Sequence, residues 1–410
     1  MRARARSRPA ARPCRASPPA AAAWLLALLA ACSTPDDRVR SSVRDSAGVE
    51  IITTAGALPS WELSGEPVLE LGSIDDPGPT QFFRVRDVEL LDDGGLVVAN
   101  QGSEELRIFG PDGAHRATVG RKGHGPAEFD GLSMVESFAD SLLVYDSGNQ
   151  RLSVRRLDGS LARTFQLFWY DGILFPVDLH GAVGFTGARG ILAVTARYMS
   201  QLKGTGLVVD TALVSLYDMD GALIDSLIRL PHNERVVQRA GDFQTTLGYP
   251  YSAGASLVGD ARGFCSTFGT TPEIECRDRD GVWRRIRIVL PARDVTEAHV
   301  ERFWNEAFDT ENVRQRSALR RMRDAMVFPE HFPAFAQLAR DDRGRIWARR
   351  YATPDDEAEE WIVIDDGRWT GRIASPIGFQ VMDVRGDRLA GVWQDSLGIE
   401  FVRVYRYRER

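Results

Sequence analysis

Lysine is almost absent from this chain of 410 residues: Lys122 and Lys203 are the only two, and the remaining positive charge is arginine. Residues 1–31 hold six arginines and no acid, and without them 45 basic residues stand against 57 acidic ones. That balance argues against the basic surface that displaces counterions from a nucleic acid, so no nucleic-acid partner is expected. The six histidines, His115, His124, His180, His232, His299 and His331, are dispersed and form no His-Glu-x-x-His pattern. A Gly-x-Ser-x-Gly elbow and a Walker phosphate loop are also missing. No cofactor is therefore expected. Apolar runs are short: Ala20 to Ala31 spans twelve residues, about 18 Å as a helix against a hydrocarbon core of roughly 30 Å, which excludes a permanent membrane span. With 43% hydrophobic and 26% charged residues, the rest has ordinary globular usage.

What is present begins with an address. Arg2, Arg4, Arg6, Arg8, Arg12 and Arg15 precede the apolar run, the charged and hydrophobic regions of an export signal. The run ends in Leu29-Ala30-Ala31-Cys32, which resembles the lipobox of bacterial lipoproteins. The resemblance implies cleavage before Cys32 and lipidation of its thiol, giving a signal peptide over 1–31 and a polar tether over 32–48. Ser33 in place of Asp resembles lipoproteins sent to the outer membrane. The expected location is thus the cell envelope, anchored to the outer membrane on its periplasmic or surface side, with the membrane as one partner.

Of the four cysteines, Cys14 would leave with the signal and Cys32 would be acylated, so Cys265 and Cys276 remain as a pair. They flank Gly269-Thr270-Thr271-Pro272, which sets them opposite each other on two hairpin strands. A zinc site is the rival, but no histidine is near. A disulfide is expected.

The mature chain repeats itself. Gly78-Pro79-Thr80-Gln81-Phe82 matches Gly125-Pro126-Ala127-Glu128-Phe129, and the second is followed by Asp146-Ser147-Gly148-Asn149-Gln150-Arg151 and Asp158-Gly159. In this order of motifs the chain resembles the NHL-repeat type of β-propeller. Turns opening second strands recur at Gly94-Gly95, Asp140-Ser141, Arg189-Gly190, Arg262-Gly263, Arg343-Gly344 and Gly386-Asp387. Asp-Gly hairpins follow at 112, 158, 220, 280 and 366. The reading is an all-β, six-bladed β-propeller over 49–410. The sixth unit lacks an outer strand, so Leu69 to Gly72 is expected to pair with Ile399 to Arg406 and close the ring.

Length collects on one face of such a ring, in Ala196 to Asp210, Pro231 to Pro250 and Pro291 to Pro333. The last predicts a helical insertion over about 294–327, between blades four and five, capped by Asp294 with Glu297, and a second helix over 310–326. Arg316, Arg320 and Arg323 share one face of that second helix, as a solvated surface or an anion-binding lid. Candidate ligand-binding residues are Arg84 and Arg86 on the first inner strand, Arg121, Lys122 and His124 in a glycine-rich loop, and Tyr249 and Tyr251 at the entrance of blade four. Calcium-dependent propeller lactonases gather acids around their channel, and Asp87, Glu89, Glu136, Asp178 and Asp383 hold corresponding places. The function expected is a module that binds an unknown small molecule or an envelope protein. A metal-dependent propeller hydrolase is the alternative.

Overall fold

The computed structural model describes residues 39–73, 78–138, 140–166, 174–183, 189–197, 202–240, 243–259, 262–308, 316–317, 320, 323 and 326–409. Among them, strands form six sheets, and the helix Glu297–Phe308 lies in the link between the fourth and the fifth. The first sheet is Val85–Leu90, Leu96–Asn100, Glu105–Phe109 and His115–Val119; the second is Leu132–Phe138, Ser141–Asp146, Arg151–Arg156 and Leu161–Phe165. Both are antiparallel meanders. The third has five strands, Leu174–Val183, Arg189–Arg197, Gly206–Asp218, Leu223–Ala240 and Phe243–Gly248. The fourth opens with Ser256–Gly259, Phe264–Thr267, Glu273–Asp278 and Gly281–Ile288, and the fifth is Phe335–Arg340, Ile346–Arg350, Ala358–Asp365 and Arg368–Pro376. Gln380–Arg385, Arg388–Gln394 and Glu400–Arg408 begin the sixth.

Second strands such as Leu96-Val97-Val98-Ala99 are buried throughout because each sheet is covered on both faces. Apolar clusters join sheet one to two through Val97, Leu106 and Phe129, two to three through Leu143 and Ile191, and three to four through Val214 and Phe264. Others join four to five through Ile274 and Leu338 and five to six through Trp361 and Val384. A sixth joins the last sheet to the first, where Ala390 and Val402 meet Val88 and Leu96. Many small interfaces between radially packed sheets, in place of one growing core, are the construction of a β-propeller. The glycines of all five Asp-Gly turns take positive φ, as their hairpins require.

The N-terminal segment departs from expectation. Arg40–Ser46 falls within the expected tether over 32–48, yet it pairs with Val49–Ala55. The hairpin turns at Ala47-Gly48, both at positive φ, and alanine gives little signal for such a turn. Val49–Ala55 then runs parallel to Gly281–Ile288, with Glu50 bonded to Arg284, so sheet four is six-stranded and mixed. Farther on, Ser60 bridges Arg372 of sheet five. Glu62–Leu63 and Leu69–Leu71 pair antiparallel with Glu400–Arg408 of sheet six.

Among the described residues, two of the long links are mostly strand: Gly206–Asp218, Leu223–Ala240 and Phe243–Gly248 are β, with Pro231 at a register shift opposite Thr211, where no ladder donor is required of it. The helix is capped by Thr296, whose Oγ1 lies 3.5 Å from His299 N. Asp294, expected as the cap, instead bonds His331 Nδ1 at 2.8 Å. Most of the second expected helix lies outside the described residues. Cys265 and Cys276 face each other across adjacent strands and form a disulfide inside the cluster between sheets four and five.

Candidate functional site

The inner strand of each sheet borders a central space, and most of these strands carry a bulge at one level. Register shifts fall between Val85 and Asp87, Phe335 and Gln337, and Val381 and Asp383, with another at the start of the second sheet's inner strand. A bulge re-aims the side chain at the extra residue. The bulged Arg86, Ser133 and Met382 accordingly line a cavity of about 460 Å³ with Gln337, Gln380 and the Arg349–Glu359 pair. A second cavity of about 450 Å³ continues from it and is walled by Glu89, Ser137, Arg340, Asp341 and Arg385. Asp87, Met134, Gln337 and Met382 border both. Together they make a polar channel with Asp87 at its neck.

The channel acids have structural work. Inner strands of adjacent sheets share no backbone ladder, and carboxylates bridge them instead. Asp87 Oδ2 accepts from Val135 N at 2.9 Å, and Asp383 Oδ2 from Leu90 N at 2.8 Å. Glu89 Oε1 accepts from Ser137 N at 2.9 Å and from Arg385 at 3.0 Å. Arg385 reaches on to Asp92 at 2.7 Å. Burial pushes the Asp87 carboxyl up to about 7, against the pull of the Val135 N–H and with a further push from Asp383. Burial likewise raises Asp383 to about 6 and holds Glu89 well above the usual carboxylate range, with the Asp383 charge adding to the latter.

Of the residues singled out in the sequence, Arg86 reaches the channel mouth and Glu136 lines the inner cavity. Arg84 does not: it is exposed, at φ +57°, with its carbonyl held by Gln101 N. Arg121 pairs with Glu128 at 2.7 Å, and Lys122 is exposed in the same loop. His124 bonds Asn149 at 2.6 Å. The Asp146 to Arg151 motif explains that contact. Asp146, 1% exposed, accepts from Asn149 and Arg151 side chains and from Asp130 N, and Asn149 also holds the Gly123 carbonyl. A Cβ on Gly148 would meet the Asp130 carbonyl at 1.4 Å, so the motif needs glycine there.

Tyr249 is buried against Val236. Tyr251 donates to the His299 carbonyl at 2.7 Å and packs on Phe303, Phe328 and Phe332, so it seats the helix. The side chain of Asp178 and residue Cys32 lie outside the described residues. Gln337, Gln380, Arg349 and Arg385 escaped the sequence reading; for Gln337 and Arg385 a bulge earlier in the strand breaks the two-residue alternation that would have aimed them inward. Among the described residues, no helix is long and apolar enough to cross a membrane, and no three His, Cys, Asp or Glu side chains are grouped to hold a metal.

No protein-family model matches the chain, and no curated protein matches it. Solved structures do. A member of the DUF4221 family from Bacteroides vulgatus is 12% identical, with 86% of this chain and 100% of that one covered at a TM-score of 0.48. A calcium-binding regucalcin from Agrobacterium tumefaciens is 12% identical over 81% and 94% of the two chains, at 0.40. Virginiamycin B lyase from Staphylococcus aureus is 10% identical over 84% and 99%, at 0.39.

Proposed function

We propose that this chain is an exported, lipid-anchored, six-bladed propeller that binds a small polar anion at the Arg86 mouth of its channel. The observation that carries the reading is a set of unspent polar groups: among the described residues, the side chains of Arg86, Gln337 and Gln380 have no hydrogen-bond or ion-pair partner, and all three line the same cavity. One cation with two amides matches a carboxylate bearing further hydroxyl or carbonyl groups. Closure of the ring by Leu69–Leu71 on the C-terminal strand belongs to this reading, as do the NHL-like repeat, lipidation at Cys32 and residence at the outer membrane.

The calcium-dependent alternative fits the donor set poorly. Asp87, Glu89 and Asp383 each accept backbone N–H groups, and Glu89 also binds Arg385. Hard cations need several converging oxygens, and these are turned to neighbouring strands.

Thermal shift of the purified protein across a panel of small hydroxy-carboxylates, gluconate and citrate among them, tests the site. Stabilisation of the parent that disappears in Arg86→Ala supports it; equal shifts in both, or none across the panel, count against it. Palmitate labelling that survives in Cys32→Ala would remove the anchor.

A further inference from the structure

Between sheets three and four lies a separate cavity of about 210 Å³, divided from the channel by Ser256 and Leu257. Val194, Ala212, Val214 and Leu230 on one side and Leu257 on the other give it apolar wall, and polar groups make up a comparable share of the lining. Of its polar side chains, Ser256 already accepts from Leu338 N at 2.8 Å, which leaves two others. Ser266 sits on Phe264–Thr267, where alternation sends Cys265 to the sheet-five side and Phe264 to the sheet-three side. Ser266 follows Phe264. Its side chain is buried, at 6% exposure, and has no hydrogen-bond partner among the described residues. The hydroxyl opens to the cavity and meets no protein partner there among the described residues, so a ligand bringing one would satisfy it.

His232 is the second. The register between the two long strands of sheet three shifts across Val209 and Thr211, which sets Asp210 against both His232 and Asn233. Asp210 Oδ1 accepts from Asn233 N at 2.7 Å and lies 3.2 Å from His232 Nδ1. The Asn233 amide rests 3.0 Å and 3.3 Å from the two ring nitrogens. From sheet four's side, Ala255 N donates to the His232 carbonyl at 2.7 Å. The imidazole is therefore held by Asp210 and Asn233, and His232 stands at the cavity wall.

We infer that this cavity is a binding site for a small, uncharged, largely apolar molecule carrying one hydroxyl, such as a phenol or an alicyclic alcohol. Apolar walls take the body. A hydroxyl both donates and accepts, so it suits Ser266 and either tautomer of His232. No Lys or Arg lines the cavity and the Asp210 carboxylate stands behind the histidine, so an anionic head would be buried beside a negative charge. The inference does not depend on the channel reading.

Saturation-transfer NMR on the full chain, with phenol and benzoate as matched probes, tests it. Phenol is expected to bind at least about tenfold more tightly than benzoate. Ser266→Ala removes a hydroxyl that has no partner, so it should fold like the parent while weakening phenol about five- to tenfold. Leu230→Trp should fill the cavity and abolish the signal, whereas Arg86→Ala should leave it unchanged. No phenol binding to the parent, benzoate binding as tightly as phenol, or phenol binding unaffected by Ser266→Ala would each overturn the inference; the last decides the matter even where Leu230→Trp does not fold.

Discussion

Glu70 and Arg403, 333 positions apart in the chain, stand opposite each other on paired strands, 2.7 Å apart at the carboxylate and guanidinium. Arg403 also lies over the Trp393 ring at 3.8 Å. On either side, Leu69 faces Val404 and Leu71 faces Val402, and all four belong to the cluster between sheets six and one.

Proposed closure of the ring therefore has a sharp test. Deleting residues 49–72 should leave Glu400–Arg408 as a bare edge and cause aggregation or loss of cooperative unfolding. Deleting only 39–47, whose strand is exposed at every position, should shift the denaturation midpoint little. A 49–72 deletion that unfolds with the parent's midpoint and cooperativity would refute closure.

Replacing both Cys265 and Cys276 by alanine should lower stability by up to about 3 kcal/mol, the chain-entropy scale for so short a loop. Both positions lie in the apolar cluster between sheets four and five, so the loss should appear in denaturant melts without loss of the fold. Alkylation of the native protein without reductant should add no label at either residue.

Asp87 supplies a pH test. Its carboxyl ionises near 3.8 in the unfolded chain and at about 7 in the folded one. Between those values the native state holds more protons, so its contribution makes stability fall as pH rises through the window. Asp87→Asn keeps an oxygen for the Val135 N–H and does not titrate. Its loss of unfolding free energy from pH 5 to pH 8, read from denaturant melts, should be smaller than the parent's by a difference on the order of a few kcal/mol. Equal slopes would show that the acid does not titrate in that range.

Arg155 is 1% exposed and lies 4.9 Å from the Phe129 ring centre, with its Nη2 unpartnered among the described residues. Burial lowers its guanidinium to about 10. Among the described residues no carboxylate pairs with it, so Arg155→Met should be neutral or up to about 2 kcal/mol stabilising in denaturant melts. A loss larger than that would mean the charge is stabilised where it sits.

The turns were legible in the sequence because their chemistry is local. Gly113, Gly159, Gly221 and Gly367 announce positive φ through the aspartate before them, and these turns place the strands. The cysteine pair was legible for the same reason. The channel was not. Whether Arg84 or Arg86 faces inward depends on a bulge after Val85, and a bulge is a tertiary accommodation with no signature in alternation. Tyr251 misled because an aromatic residue beside an entrance reads the same whether it meets a ligand or a helix. The parallel strand at 49–55 was missed because it adds to a sheet that already has its four strands, so no gap in the repeat called for it, as the sixth unit's missing outer strand called for Leu69 to Gly72.

The path of that first segment bears on how the chain folds in time. Residues 49–71 touch sheets four, five and six in turn before the chain enters sheet one. During synthesis they emerge first, yet every sheet they fasten is made afterwards, the last of them ending at Arg408. They must stay unpaired while the intervening sheets are still being made, and such long-range pairing slows folding. On the proposed closure, the ring is completed only when Glu400–Arg408 is available to take Leu69–Leu71.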